Sequence, residues 1–330
     1  MQLSLRLLRI SFRIAPLTLG LLLLDYARAQ TVAVQQQNSA DSRSPFGDAQ
    51  LSIDIEGTPL TMTTTSRLSG AIHSIRWRDV EFIDSHDHGR QLQSAFSFDG
   101  GLHGEFWAER FNPTEAGSRR DGTGNASSSR LLALESTPLE LRSSTQLAFW
   151  LAPGEKSFGR NAINQTVLSE YILHKRIRLG AHRDPSIIEI DLTLEGPKKS
   201  PHRYAQYEVL TGYMPPDFCE FWGVDFKTQN LLPLSDGPGE QSLPVVFSTK
   251  DHQFAMGAIA TGQPNWITEP IGYGRFRFEQ EKVVKWNVVM RYRNAPSIDQ
   301  PKASFQVLVV VGQLEHVKST ILGLLADAQK

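Results

Sequence analysis

Apolar and polar residues alternate in run after run from residue 51 onward, and this period of two constrains the fold more than any other feature. In "SIIEIDLTLEG" the side chains of Ile188, Ile190, Leu192 and Leu194 fall in one register, with acids and Thr in the other. "LSIDIEG" sets Ile53 and Ile55 against Asp54 and Glu56, and "AIHSIRWRDVEFI" sets His73, Ile75 and Trp77 on one side. Such alternation marks half-buried β-strands, because successive side chains point to opposite faces. Further runs of this kind are "QLAFWLAP", "EYILHKRIRLG", "RYAQYEVLTGYMP", "GRFRFEQEKVVKWNVVMRYRN" and "SFQVLVVVGQL". Turn signals such as "DGG", "DGPGE" and "NAP" separate them. Two stretches read differently. "SRLLALES" is ambiguous, and "EHVKSTILGLLADAQ" spaces Val317, Ile321, Leu324 and Ala328 as one face of a helix. The expected fold is all-β: a large antiparallel β-sandwich, or supersandwich, with a short C-terminal helix. A propeller is the alternative, but it requires a blade repeat of roughly 40–50 residues, and none is visible.

The ends of the chain set its organisation. "MQLSLRLLRISFR" carries Arg6, Arg9 and Arg13, a short apolar run follows, and "ARA" precedes Gln30. Residues 1–29 are therefore expected to be a signal peptide, too short to serve as a spanning helix. Residues 30–50 are polar and aperiodic, as in a flexible lead-in. Residues 51–330 then form one β-sandwich domain. A periplasmic or secreted location follows from the leader. With Cys219 alone, no internal disulfide is available, so burial must supply the stability. The formal net charge of -1 argues against nucleic acid, and against a membrane surface once the leader is removed. There is no GxGxxG, no P-loop and no βα alternation, so no cofactor is expected.

Three clusters carry groups that chemistry can use. In "DSHDHGRQLQSA", Asp87, His88 and Arg90 follow one another closely, and an extended backbone would place His86, His88 and Arg90 on one side. A His-x-His pair is also a possible start of a metal site, but no further ligands stand at suitable spacing, so no metal is assigned. In "GEFWAERFNPTEAGSRRDG", the acids Glu105, Glu109 and Glu115 accompany Trp107. The Asn112–Pro113 turn and the small residues after Glu115 suggest a loop carboxylate at the lip of a sheet. A solvated surface glutamate is the plain alternative. In "SPHRYAQYEVLTGYMPPDF", His202, Tyr204, Gln206 and Glu208 share one strand face, and Tyr213 stands on a Gly/Pro-rich turn. Such a polar face suits either a wet cleft or plain solvent.

Acids, His, Arg, amides and aromatic rings on a β scaffold are what a saccharide surface requires. Hydroxyls pair with carboxylates, amides and guanidiniums, and the C–H faces of sugars lie on rings. The expected site has Glu115, Glu208, Asp87 and Tyr213 as catalytic groups and His88, Arg90, His202 and Trp107 as substrate-binding groups. Glu115 would be general acid or base with Glu208 or Asp87 as its partner, as paired carboxyls serve in glycoside hydrolysis. Tyr213 would be the base if the reaction is a lyase elimination. The expected partner is a saccharide or polysaccharide. A non-catalytic glycan-binding sandwich is the alternative.

The "GAIHSIRWRDVEFID" opening, the polar-faced "HRYAQYEVLTGYMP" strand and a length near 300 residues resemble the galactose-mutarotase-like supersandwich proteins. That group includes sugar epimerases, polysaccharide lyases and domains of glycoside hydrolases. The resemblance covers most of residues 50–315 and implies a concave sheet face that binds saccharide. It does not select among hydrolase, lyase and epimerase, and the epimerase catalytic His and Glu motifs are not matched.

Overall fold

The computed structural model describes residues 45–101, 106–198, 202–293 and 302–328. The expected leader, most of the lead-in and Glu105 lie outside the described residues.

The alternating runs become strands throughout. The described residues begin with a hairpin of β1 (Ala49–Ile55) and β2 (Thr58–Thr65), followed by β3 (Ala71–Trp77) and the short β4 (Val80–Glu81). Next come β5 (Leu92–Phe98), β6 (Pro113–Thr114), β7 (Arg130–Ser136) and β8 (Glu140–Phe149). A separate small hairpin pairs β9 (Lys156–Ser157) with β10 (Arg160–Asn161). Three long strands follow: β11 (Leu168–Leu179), β12 (Ile187–Glu195) and β13 (Tyr204–Met214). Then come β14 (Glu220–Asp225), β15 (Asn230–Pro233), β16 (Gly239–Gln241), β17 (Val245–Ser248) and β18 (Ala255–Ala260). The last strands are β19 (Gly272–Phe278), β20 (Val283–Arg293) and β21 (Lys302–Gly312). The ambiguous "SRLLALES" is thus a strand, β7, paired with β8.

Pairing is antiparallel at every ladder and sorts the strands into two layers. One layer runs β1-β2-β3-β5-β13-β20-β19-β16. The other runs β7-β8-β11-β12-β21-β18-β17-β14-β15. One core lies between them. Phe96, Tyr207, Val209 and Trp286 of the first layer pack in the same buried cluster as Leu147, Leu173, Ile190 and Val309 of the second. Each is a large apolar side chain at an inward register position, and its removal from water supplies roughly 1.5–3 kcal/mol. This is the all-β sandwich expected from the sequence.

The C-terminal helix (Leu314–Asp327) covers the outer face of the second layer. Val317 and Ile321 are buried against Val246, Ile259, Leu308 and Val310, with Leu324 half-buried beside them. The helical spacing read in the sequence is therefore the packed stripe, except that Ala328 caps the helix and is exposed.

The two layers are also joined by strand pairing and hydrogen bonds at "FNPTEAGS". β6 pairs with β5 through Ala95↔Thr114 and with β8 through Pro113↔Phe149 and Thr114↔Ala148, so a two-residue strand belongs to both sheets. Asn112 donates both of its amide hydrogens, to Phe96 O (2.7 Å) and Ser97 Oγ (2.9 Å). Glu115 then turns inward. Its carboxylate accepts from Ser94 N (3.1 Å) and forms an ion pair with Lys175 of β11, both side chains being 1% exposed. At Gly117, φ is +117°, and a Cβ would meet Asp121 Oδ2 at 2.2 Å, so only glycine fits. That carboxylate accepts from Ser118 N (2.7 Å) and Ser128 N (2.9 Å) and closes the loop. The segment is a clasp between sheets, not a loop that presents a carboxylate to solvent.

Candidate functional site

The outer face of the first layer carries a cleft of about 530 Å³. Its floor is formed by β5, β13 and β20. Gln93, Ala95 and Ser97 come from β5, Glu208, Thr211 and Tyr213 from β13, and Lys285 from β20. Asp87, Gly89 and Arg90 form one wall, and Glu109 and Asn112 the other, with Trp150 between them.

A bulge in β13 assembles the floor. The pairing register slips between Glu208 and Leu210, and Val209 and Leu210 both enter the core. In a regular strand, residues five apart face opposite ways. The extra residue returns Thr211 and Tyr213 to the face of Glu208, as bulges re-aim side chains. Tyr213 therefore lies within the strand and not on a following turn, which corrects the expectation from "TGYMPPDF". Tyr213 is directly opposite Lys285 in the ladder.

These groups form one network. Lys285 Nζ donates to Glu208 Oε2 (2.9 Å), as does Thr211 Oγ1 (3.0 Å). The ammonium also stands 5.4 Å from the centroid of the Tyr213 ring and 5.1 Å from that of Phe276. Burial opposes the charge on Glu208, but attraction to Lys285 and bonds from Lys285, Asn287 and Thr211 outweigh it and hold the carboxyl below its ordinary range. Burial likewise opposes the charge on Lys285, and Glu208 with Tyr213 more than offsets it, raising the ammonium. Tyr213 is pushed up, chiefly by burial, although Lys285 pulls the other way. At neutral pH the floor therefore holds a carboxylate, an ammonium and a protonated phenol.

Asp87 and Arg90 form the second pair. Arg90 Nε donates to Asp87 Oδ2 (3.1 Å), and Asp84 Oδ2 lies 3.9 Å from Arg90 Nη1. Nη1 also reaches Glu281 O (3.2 Å), tying this wall to the β19–β20 turn. Gly89 N donates to Asp87 Oδ1 (2.8 Å), and a Cβ on Gly89 would fall 2.8 Å from Trp150 Cη2. Glycine is needed there for the indole to lie against the loop.

The structure brings Asp87, Arg90, Glu208 and Tyr213 to one cleft and leaves the other four residues outside its lining. Glu115 is behind the floor, buried and paired with Lys175. His88 is 1% exposed, with Nδ1 2.9 Å from Gly122 O and Nε2 3.0 Å from Arg67 O, so both ring nitrogens face backbone carbonyls and not the cleft. The segment around it turns instead of extending, and His86 is exposed. Trp107 packs on Phe158 at 5.5 Å and under Arg160 at 4.4 Å, beside the cleft wall. His202 is 2% exposed, accepts from Gly100 N through Nδ1 (3.1 Å) and stacks on Phe98 at 4.6 Å. Lys285 and Trp150 were missed in the sequence. Among the described residues, no three His, Cys, Asp or Glu side chains gather as a metal site would require.

His202 gives a measurable consequence. Burial depresses its pKa from 6.5 to about 4, with Asp99 only partly opposing this. The neutral imidazole suits the fold, so this contribution is intact above pH 6.5 and is lost as pH falls toward 4. The loss is about 3 kcal/mol. Urea denaturation at pH 7 and pH 4 should show it, and His202→Gln, which can still accept from Gly100, should flatten that part of the slope. Equal slopes in the two proteins would show that another group is responsible.

No family model and no curated protein matches the chain. Solved structures that match include YeaD of Salmonella typhimurium, a candidate mutarotase, at 10% identity and TM-score 0.40, covering 82% of this chain and 97% of that one. The GH36 alpha-galactosidase AgaA from Geobacillus stearothermophilus matches at 10% identity and TM-score 0.43, over 84% of this chain and 42% of that one. Heparan sulfate lyase HepC from Pedobacter heparinus matches at 7% identity and TM-score 0.39, over 82% of this chain and 36% of that one. The mutarotase group resembled by the sequence is thus represented among the matches, at low similarity. At these scores the likeness assigns neither reaction nor substrate to this chain.

Proposed function

We propose that the protein is an exported carbohydrate-active enzyme that takes a saccharide into this cleft and acts on it by proton transfer. Export rests on the Arg-bearing, apolar N-terminal run with its small-residue motif. The observation that carries the rest is the Glu208–Lys285–Tyr213 network on the cleft floor. Central strands hold these groups more rigidly than loops would. Tyr213 keeps its proton in the resting site, so it acts first as donor to a substrate oxygen. Lys285, opposite Tyr213 in the ladder, stabilises the negative charge left on the phenol oxygen as its proton departs, and Glu208 holds the ammonium in place. Asp87, steadied by Arg90, is the second carboxylate, and Trp150 offers a ring to a sugar face. A volume of about 530 Å³ lies within the range of small-ligand sites.

Turnover of an oligosaccharide panel, read as new reducing ends or altered sugars, tests the proposal. Tyr213→Phe should lower kcat on the best substrate by roughly 10²–10⁴-fold, the usual share of a positioned acid–base group, while affinity changes little. Full turnover by Tyr213→Phe would remove the assignment. Binding without turnover is the second reading. It is favoured by the ion pairing of both Glu208 and Asp87, which leaves neither carboxylate free until its partner moves. Calorimetry with saturable uptake and unchanged sugar would establish it.

A further inference from the structure

The balance of charge in the cleft goes beyond the reaction to the kind of saccharide, and the argument rests on the reading just proposed. Two cations line the cleft, and both are already committed: Lys285 to Glu208 (2.9 Å) and Arg90 to Asp87 (3.1 Å), with Asp84 close behind. The amides are committed as well. Both hydrogens of Asn112 go to Phe96 O and Ser97 Oγ. Gln93 donates to Gly89 O (3.3 Å) and accepts from Ala116 N (3.2 Å). Two lining carboxylates, Glu109 and Glu281, have no cation within ion-pair distance among the described residues. An anionic sugar would enter a site with two uncompensated negative charges and no spare cation. Like charges in a partly desolvated cleft repel, and a carboxylate stripped of water without a partner is costly.

We infer that the cleft selects saccharides that carry no carboxylate or sulfate at the positions it encloses, meaning neutral sugars or sugars bearing a protonated amine. Elimination from a uronate needs a cation or free amide to neutralise the carboxylate, and the committed partners above do not supply one. Glu109 and Glu281, both lining the cleft, act as the excluding charges.

Calorimetry with three size-matched oligosaccharides, one neutral, one uronate-containing and one amine-bearing, tests this on the wild-type protein and on a Glu109→Gln/Glu281→Gln double variant. At low salt the uronate should bind at least about tenfold more weakly than the neutral sugar. The gap should shrink as salt rises, and amine binding should weaken. The double variant should close most of the gap. Uronate affinity equal to or above that of the neutral sugar would overturn the inference and leave the saccharide reading standing. A gap unchanged in the double variant would overturn the roles of Glu109 and Glu281. Uptake of none of the three would remove the saccharide reading, and this inference with it.

Discussion

Glu115→Ala should lower the stability of the fold by about 3–5 kcal/mol, the usual result of stranding one member of a buried ion pair. The carboxylate and Lys175 are both 1% exposed, and Glu115 also receives Ser94 N, so its loss leaves an ammonium without a counter-charge inside the core. Lys175→Met should cost a similar amount through the opposite charge. The double variant Glu115→Leu/Lys175→Met should recover most of the loss, because apolar residues of similar size often replace a buried pair at little cost. Urea denaturation of the three proteins measures this. A fall below 1 kcal/mol for Glu115→Ala would mean that water or another group reaches Lys175. The same experiment separates structure from chemistry: if Glu115 only clasps the sheets, the folded double variant keeps the saccharide affinity and turnover of the wild type.

Lys175 also shows what the sequence offered and where reading it stopped short. In "EYILHKRIRLG" the residues Tyr171, Leu173, Ile177 and Leu179 are in the inward register, and Lys175 falls among them. A lysine on the core face requires a buried acid, and "FNPTEAGS" contains the one that serves it. The local cues at Glu115, small neighbours and a proline turn, also describe an exposed loop, and the partner is 60 residues away. Strand identity needs only the period of two, so it was legible almost everywhere, as was the helical stripe of Val317 and Ile321. The grouping of side chains was less so. Alternation places Tyr213 opposite Glu208 in facing, and only the extra residue at Val209–Leu210 reverses that. His88 and His202 read as site residues by type, but hydrogen bonds to the distant carbonyls of Gly122 and Arg67, and to Gly100 N, decide their roles. Such pairings follow from tertiary packing and leave no mark on spacing. Lys285, in "KVVKWNVV", gave less warning than Lys175: Val284, Trp286 and Val288 take the core register and Lys285 the outer one, so its acid is found only once β13 and β20 pair.

Lys285→Met should reduce turnover on the best saccharide by about 10²-fold or more, in the range found when one preorganised charge stabiliser is removed. It should also reverse the pH response of Glu208. In the wild type, the carboxyl lies below its ordinary 4.5 although burial raises it, because Lys285, Asn287 and Thr211 favour the anion. Its stabilising share is present above the unfolded pKa and is lost as pH falls through the folded one. Lys285 lies above its ordinary 10.5, so its share is full below that value and is lost only as alkaline pH passes the folded pKa. Without Lys285, burial dominates at Glu208 and lifts the carboxyl above 4.5. The anion then destabilises the fold at neutral pH, and protonation relieves it. The stability gap between wild type and variant should therefore be widest at pH 7 and narrow toward pH 4, while the acid limb of any remaining activity moves to higher pH. A gap that stays constant across this range would mean that Lys285 acts on the fold by packing alone, and that the charge of the cleft floor is not set by this pair.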